Sequence, residues 1–156
     1  MDLPRRPDDA ATPAPLPLPC LNASLRRAAR AVTQLYEAEF RNAGVGGARH
    51  TLLQVIDAWE GIGQKGLGQR LALDSTTLSR TLAPLLRHGW IRTLPAQDRR
   101  ERRFALTPAG RRQLDRARAP WERAQERMRK RLGAARWEQV MKVLLEVTRA
   151  AQGPMH

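Results

Sequence analysis

The sequence predicts a mostly α-helical fold with one small β-hairpin, and three observations carry that reading. Apolar residues recur at spacings of three and four along most of the chain. The pattern turns to short β-compatible runs only between Trp90 and Leu106. Two short helical segments joined by Leu73-Asp74-Ser75 stand directly before that change. The 156 residues suffice for one compact domain with its own core.

Charge and composition narrow the function. Against 15 Asp and Glu the chain carries 28 Lys and Arg, a formal net charge of +13, which points to a polyanionic partner. One Cys and three scattered His support neither an internal disulfide nor a structural zinc site. No run of about 18 apolar residues exists to span a membrane. The N-terminus lacks a basic segment leading into an apolar one, so a cytoplasmic chain is expected. With no glycine-rich phosphate loop, nucleophile elbow or paired carboxylates in an apolar setting, the chain reads as a non-enzyme without a cofactor.

The elements follow in order. Residues 1–19 hold six prolines and few large apolar side chains, which predicts a disordered or polyproline-like arm. Leu21, Leu25, Ala28, Val32 and Leu35 share one face of a first helix over residues 20–42, ended by the glycines of Ala43-Gly44-Val45-Gly46-Gly47. Leu52, Val55, Ile56 and Trp59 mark a second helix over 48–59, broken by Gly61-Ile62-Gly63. A short helix over 64–73 presents Leu67 and Leu71 inward, despite Gly66 and Gly68. The next helix, capped by Asp74 or Ser75 and reaching about His88, turns Leu78, Leu82 and Leu85 inward. Pro84 removes one of its backbone bonds and predicts a kink.

Trp90-Ile91-Arg92-Thr93-Leu94 and Arg103-Phe104-Ala105-Leu106 read as two strands around a charged turn. Thr107-Pro108 then opens a long helix, Thr as cap and Pro where its missing N–H costs nothing. Leu114, Ala117, Trp121, Ala124 and Met128 line that helix, Gly133 interrupts it, and Trp137, Val140, Met141, Leu144 and Val147 line a last one.

Two short helices around a tight turn, followed by a hairpin, form the layout of a winged helix-turn-helix. The second helix opens Ser75-Thr76-Thr77-Leu78-Ser79-Arg80-Thr81, dense in hydroxyls and free of acids after Asp74. Such groups bond base edges and phosphates in the major groove. The hairpin carries Arg92, Arg99, Arg100, Arg102 and Arg103 against Asp98 and Glu101, and an arginine tip suits the negative potential of the minor groove. Either feature alone reads as a capped surface helix or a solvated charge run; together they indicate double-stranded DNA. The terminal helices expose apolar stripes that the winged core alone does not cover, which predicts a homodimer. Two alternatives stand beside a sequence-specific regulator. One is an architectural DNA-binding protein that uses charge alone, the other an adaptor whose helices bind protein.

Beyond that reading, the sequence resembles the MarR (multiple antibiotic resistance regulator) family of transcription factors. The resemblance runs through Leu71-Ala72-Leu73-Asp74-Ser75-Thr76-Thr77-Leu78-Ser79-Arg80, Leu86-Arg87-His88-Gly89-Trp90-Ile91, Asp98-Arg99-Arg100 and Leu106-Thr107-Pro108-Ala109-Gly110. It covers about residues 20–152 and implies a winged helix-turn-helix at 47–106 between dimerisation segments at 20–46 and 107–156. It further implies a repressor on a palindromic operator, released by a small molecule or an oxidant. Ser75, Thr76, Thr77, Ser79 and Arg80 match the family's recognition helix. Arg100 matches the wing arginine, with Arg99 and Arg102 beside it, and Asp98 the acid that supports it. Pro84, Gly66 and Gly68 depart from the common pattern.

Anionic aromatics are the usual ligands of the family, and Arg30, Tyr36, Arg49, His50 and Trp59 offer arginines near aromatic rings for an aromatic carboxylate effector. Cys20, at the head of the first helix, is the candidate for a redox sensor instead. Relatives that sense hydroperoxides pair such a cysteine with aromatic hydroxyls, whereas here Tyr36, the single tyrosine, lies sixteen positions away.

Overall fold

The computed structural model describes residues 19–95 and 101–153. Among the described residues, six helices and three strands follow one another: α1 (Leu21–Phe40), α2 (Gly47–Ala58), β1 (Ile62–Gly63), α3 (Gln64–Leu71), α4 (Ser75–Arg87), β2 (Ile91–Leu94), β3 (Arg103–Leu106), α5 (Pro108–Leu132) and α6 (Ala134–Gln152). The chain divides into two compact units, Met1–Gln34 and Leu35–His156, the boundary falling within α1. In the first unit the described residues are mostly helical, and the expected apolar stripe stands open, Leu21 and Val32 being exposed.

In the second unit, the helical spacing read from the sequence becomes the core. Leu52, Leu53 and Ile56 of α2, Leu67 of α3, Leu78, Leu82 and Leu85 of α4, Ile91 of β2, and Phe104 and Leu106 of β3 are buried together, with Ala117 of α5. Burying each large apolar side chain stabilises the unit by about 1.5–3 kcal/mol before the cost of ordering. Leu71, Leu114 and Trp121 pack on the margin.

The sheet corrects the expected two-stranded hairpin. It has three strands in the order β1-β3-β2, all antiparallel. Ile62 pairs with Phe104 and Gly63 with Arg103, while Ile91 to Leu94 pair with Leu106 to Arg103. Gly61, at φ +79°, turns the chain onto β3, and its N–H donates to the Phe104 carbonyl at 3.0 Å. A two-residue strand has no alternation to read, so the segment looks only like a helix break in the sequence.

Pro84 lies within α4, which continues unbroken from Ser75 to Arg87, and Pro120 lies within α5. In both cases buried side chains flank the proline, Leu82 and Leu85 or Ala117 and Ala124, and the chain stays helical on either side of it. Gly133 ends α5 at φ +77°, as its position in the sequence predicts. No residue of α6 is buried, and Val140, Met141, Val143, Leu144 and Leu145 are all exposed. Among the described residues no helix is long and apolar enough to cross a membrane.

Candidate nucleic-acid interface

Asp74 starts the second helix of the helix-turn-helix. Its carboxylate accepts from the Thr77 N–H at 2.8 Å and from the Thr77 hydroxyl at 2.6 Å. Those bonds hold its carboxyl below the usual aspartate range, the Thr77 side chain contributing most. Ala72, in the left-handed region at φ +52°, makes the turn before it.

With Leu78, Leu82 and Leu85 facing the core, the rest of the first turns must face solvent. Ser75, Thr76, Thr77, Ser79 and Arg80 are all exposed. Their hydroxyls are not equivalent. Thr77 donates to Asp74, Ser79 to the Ser75 carbonyl at 2.7 Å, and Thr81 to the Thr77 carbonyl at 2.8 Å. Each has therefore committed its one proton within the helix and offers lone pairs outward. Ser75 and Thr76 make no such bond among the described residues and keep a proton to donate.

The wing is braced against α3. The Gln64 N–H donates to the Arg102 carbonyl at 2.9 Å, and the Glu101 carboxylate accepts from Arg103 Nε at 3.1 Å. A Cβ on Gly63 would lie 2.8 Å from that carboxylate, so α3 and the wing base approach closely because Gly63 is a glycine. Arg102 is exposed. Asp98, Arg99 and Arg100 lie outside the described residues.

Two contacts at the interface were missed by sequence reasoning. The Gln64 side chain donates to Ser79 Oγ at 3.1 Å, linking α3 to α4. At the wing base, Glu101 contributes the close approach just described. Further off, Glu37 accepts from the Gly47 N–H at 2.8 Å and so caps α2, whose preceding Gly46 has no side chain to do it. Local pattern offers no signal for bonds of this reach, except that Gly46 and Gly63 leave two helix starts without caps of their own.

The five residues of the expected effector site occupy distinct settings. His50 is 2% exposed, its ring 5.1 Å from that of Phe40 and 6.2 Å from that of Trp121. Neither ring nitrogen has a hydrogen-bond partner among the described residues, and burial pushes its pKa down. Tyr36 packs on the core margin, where burial pushes its phenol up. Trp59 is 45% exposed and lies under the Arg70 guanidinium, 3.9 Å from the ring centroid. Roughly 13 Å of helix, at 1.5 Å per residue, separates it from His50. Arg30 and Arg49 are exposed. Cys20 is exposed with a free thiol, and its carbonyl accepts from the Ser24 N–H at 3.0 Å as α1 begins.

The fold and this arrangement define a winged helix-turn-helix protein. Within that class, residues 48–101 match the family model of the MarR family. Among solved structures, the chain is similar to the transcriptional regulator MosR of M. tuberculosis in complex with DNA, with 29% identity and a TM-score of 0.78 over 86% of this chain and 97% of that one. The PcaV transcriptional regulator from Streptomyces coelicolor, in complex with its natural ligand, shares the fold at 22% identity and a TM-score of 0.76, covering 85% of this chain and 94% of that one. Apo MarR from E. coli does so at 20% identity and 0.66, covering 83% and 98%. No curated protein matches the sequence.

Proposed function

We propose that this protein is a sequence-specific DNA-binding transcriptional regulator, a homodimeric repressor of a palindromic operator that a small organic anion releases. One observation carries the reading: the exposed start of α4 presents Ser75, Thr76, Ser79 and Arg80 on a helix whose opposite face is anchored by Leu78, Leu82 and Leu85. A rigid helix with hydroxyls and one arginine outward, and no acid beyond its capping Asp74, is suited to the major groove. Arg99, Arg100 and Arg102, supported by Asp98, would place the wing in the minor groove. The likeness to MosR, whose structure contains DNA, favours the same partner.

The open apolar face of α6 supports dimerisation through residues 20–46 and 107–156, since Met141 and Leu145 are about half exposed, at 52% and 50%. An aromatic carboxylate is the effector the arginines suit, with Arg30, Tyr36, Arg49, His50 and Trp59 as candidates; the ligand-bound PcaV structure favours a small-molecule effector of some kind. The expected arm at residues 1–19 lies, but for its last residue, outside the described residues, and the protein would act in the cytoplasm, on DNA.

The test is a fluorescence titration with duplexes enriched from a random pool, in the presence of excess unrelated DNA at physiological salt. A regulator keeps a specificity ratio of about 10³ or more. A ratio near one would leave only an architectural binder, and no binding would leave an adaptor.

A further inference from the structure

We propose that Gln64, on α3, is a specificity-determining residue of the DNA interface, because it fixes Ser79 as an acceptor for the exocyclic amine of one base. The inference rests on the DNA-binding reading above and names a residue that lies outside the recognition helix.

Gln64 is held from two sides. Its backbone N–H donates to the Arg102 carbonyl at the wing base, 2.9 Å away, and its side-chain Nε2 donates to Ser79 Oγ at 3.1 Å. Ser79 in turn donates its only proton to the Ser75 carbonyl at 2.7 Å. The Gln64 atom that meets Ser79 is therefore the amide nitrogen, since Ser79 has no second proton to give.

The consequence is arithmetic of lone pairs. A serine hydroxyl has one proton and two lone pairs. Here Ser75 takes the proton and Gln64 takes one lone pair, which leaves one lone pair in one direction on an exposed residue. Ser79 so held accepts and does not donate. In the major groove the groups that donate are N6 of adenine and N4 of cytosine. Inverting that base pair places a carbonyl oxygen where the amine stood, lone pair against lone pair. Without Gln64 the hydroxyl keeps its bond to Ser75 but has two lone pairs open over a wider arc, so the preference falls. Gln64 thus ties the wing base to the reading helix, through its backbone N–H on one side and its side chain on the other.

The experiment compares the wild-type chain with Gln64→Ala, Gln64→Met, Ser79→Ala and Gln64→Ala/Ser79→Ala. A sequence enriched by the wild type from random duplexes is titrated with each protein, alongside duplexes inverted one base pair at a time. Helical circular dichroism checks that each variant is folded, and Gln64→Met preserves the side-chain volume. Gln64→Ala, Gln64→Met and Ser79→Ala are expected to lower the preference at one and the same base pair by about tenfold. The double variant should lose no more than a single one, and affinity for unrelated DNA should stay as in the wild type. A loss spread evenly over all sequences, preferences changed at different positions, or an unchanged preference in both Gln64 variants overturns the inference and leaves the DNA-binding reading intact. A wild-type chain that enriches no sequence overturns both.

Discussion

Gly110 lies so close to the carbonyl of Trp90 that no side-chain carbon fits between them. The approach is fixed by Thr107. Its hydroxyl donates to the Gly89 carbonyl at 2.5 Å and accepts from the Gly110 N–H at 3.1 Å, while its own N–H donates to Trp90 at 3.0 Å. One residue thus caps α5 and fastens it to the start of β2. The sequence Leu106-Thr107-Pro108-Ala109-Gly110 has a physical reason at each of its polar and glycine positions.

Gly110→Ala is therefore expected to destabilise the fold by about 3 kcal/mol, the upper part of the usual range for overpacking. Gly89→Ala is the control. Nothing surrounds a Cβ there, and only its φ of +64° opposes one, a cost of about 1–2 kcal/mol. Urea unfolding of the two variants ranks them, and equal stabilities would contradict the close approach.

At the wing, Arg100→Ala should weaken operator binding by about 1–3 kcal/mol, as for one arginine inserted in a groove, without changing the molecular mass of the assembly. Titration at fixed salt measures it. Unchanged affinity would remove Arg100 from the interface.

His50 makes stability depend on pH. Among the described residues its buried imidazole has no partner to share a proton with, and its folded pKa lies below the ordinary 6.5. The unfolded chain then binds the proton more readily, so its contribution is full above about pH 6.5 and is lost as pH falls below that value. Thermal melts between pH 7.5 and 5 should show a fall that His50→Leu flattens. A variant with the same acid sensitivity as the wild type would assign the effect elsewhere.

The open face of α6 is expected to be covered by a second chain. Sedimentation at micromolar concentration should give about twice the 17.6 kDa of one chain. Leu144→Glu places a charge on that face, which is 43% exposed at this residue, and should shift the protein to a folded monomer. A wild-type monomer at that concentration would contradict the dimer.

Release of DNA should follow an organic anion rather than oxidation of Cys20. Wild type and Cys20→Ser, each bound to operator, are treated with an alkyl hydroperoxide or with aromatic carboxylates. Both proteins should release DNA with a carboxylate. Release of the wild type by peroxide alone, abolished in Cys20→Ser, would make the exposed thiol the sensor.

The sequence by itself determined the helices, the strands β2 and β3, the cap Thr107, and the inward face of α4, while it left the α4 cap between Asp74 and Ser75. All of these rest on spacings within a few residues of one another, where the backbone period sets which side chains share a face. Only the tertiary structure decided that Ile62 and Gly63 form a third strand and that Pro84 leaves α4 unbroken. It alone decided that Gln64 bonds Ser79, and that His50 lies buried between aromatic rings. These outcomes depend on what packs from distant parts of the chain: Phe104 draws in Ile62, and Phe40 and Trp121 enclose His50. A local pattern fixes which way a side chain points from its own helix; the element that arrives opposite it fixes what that side chain meets.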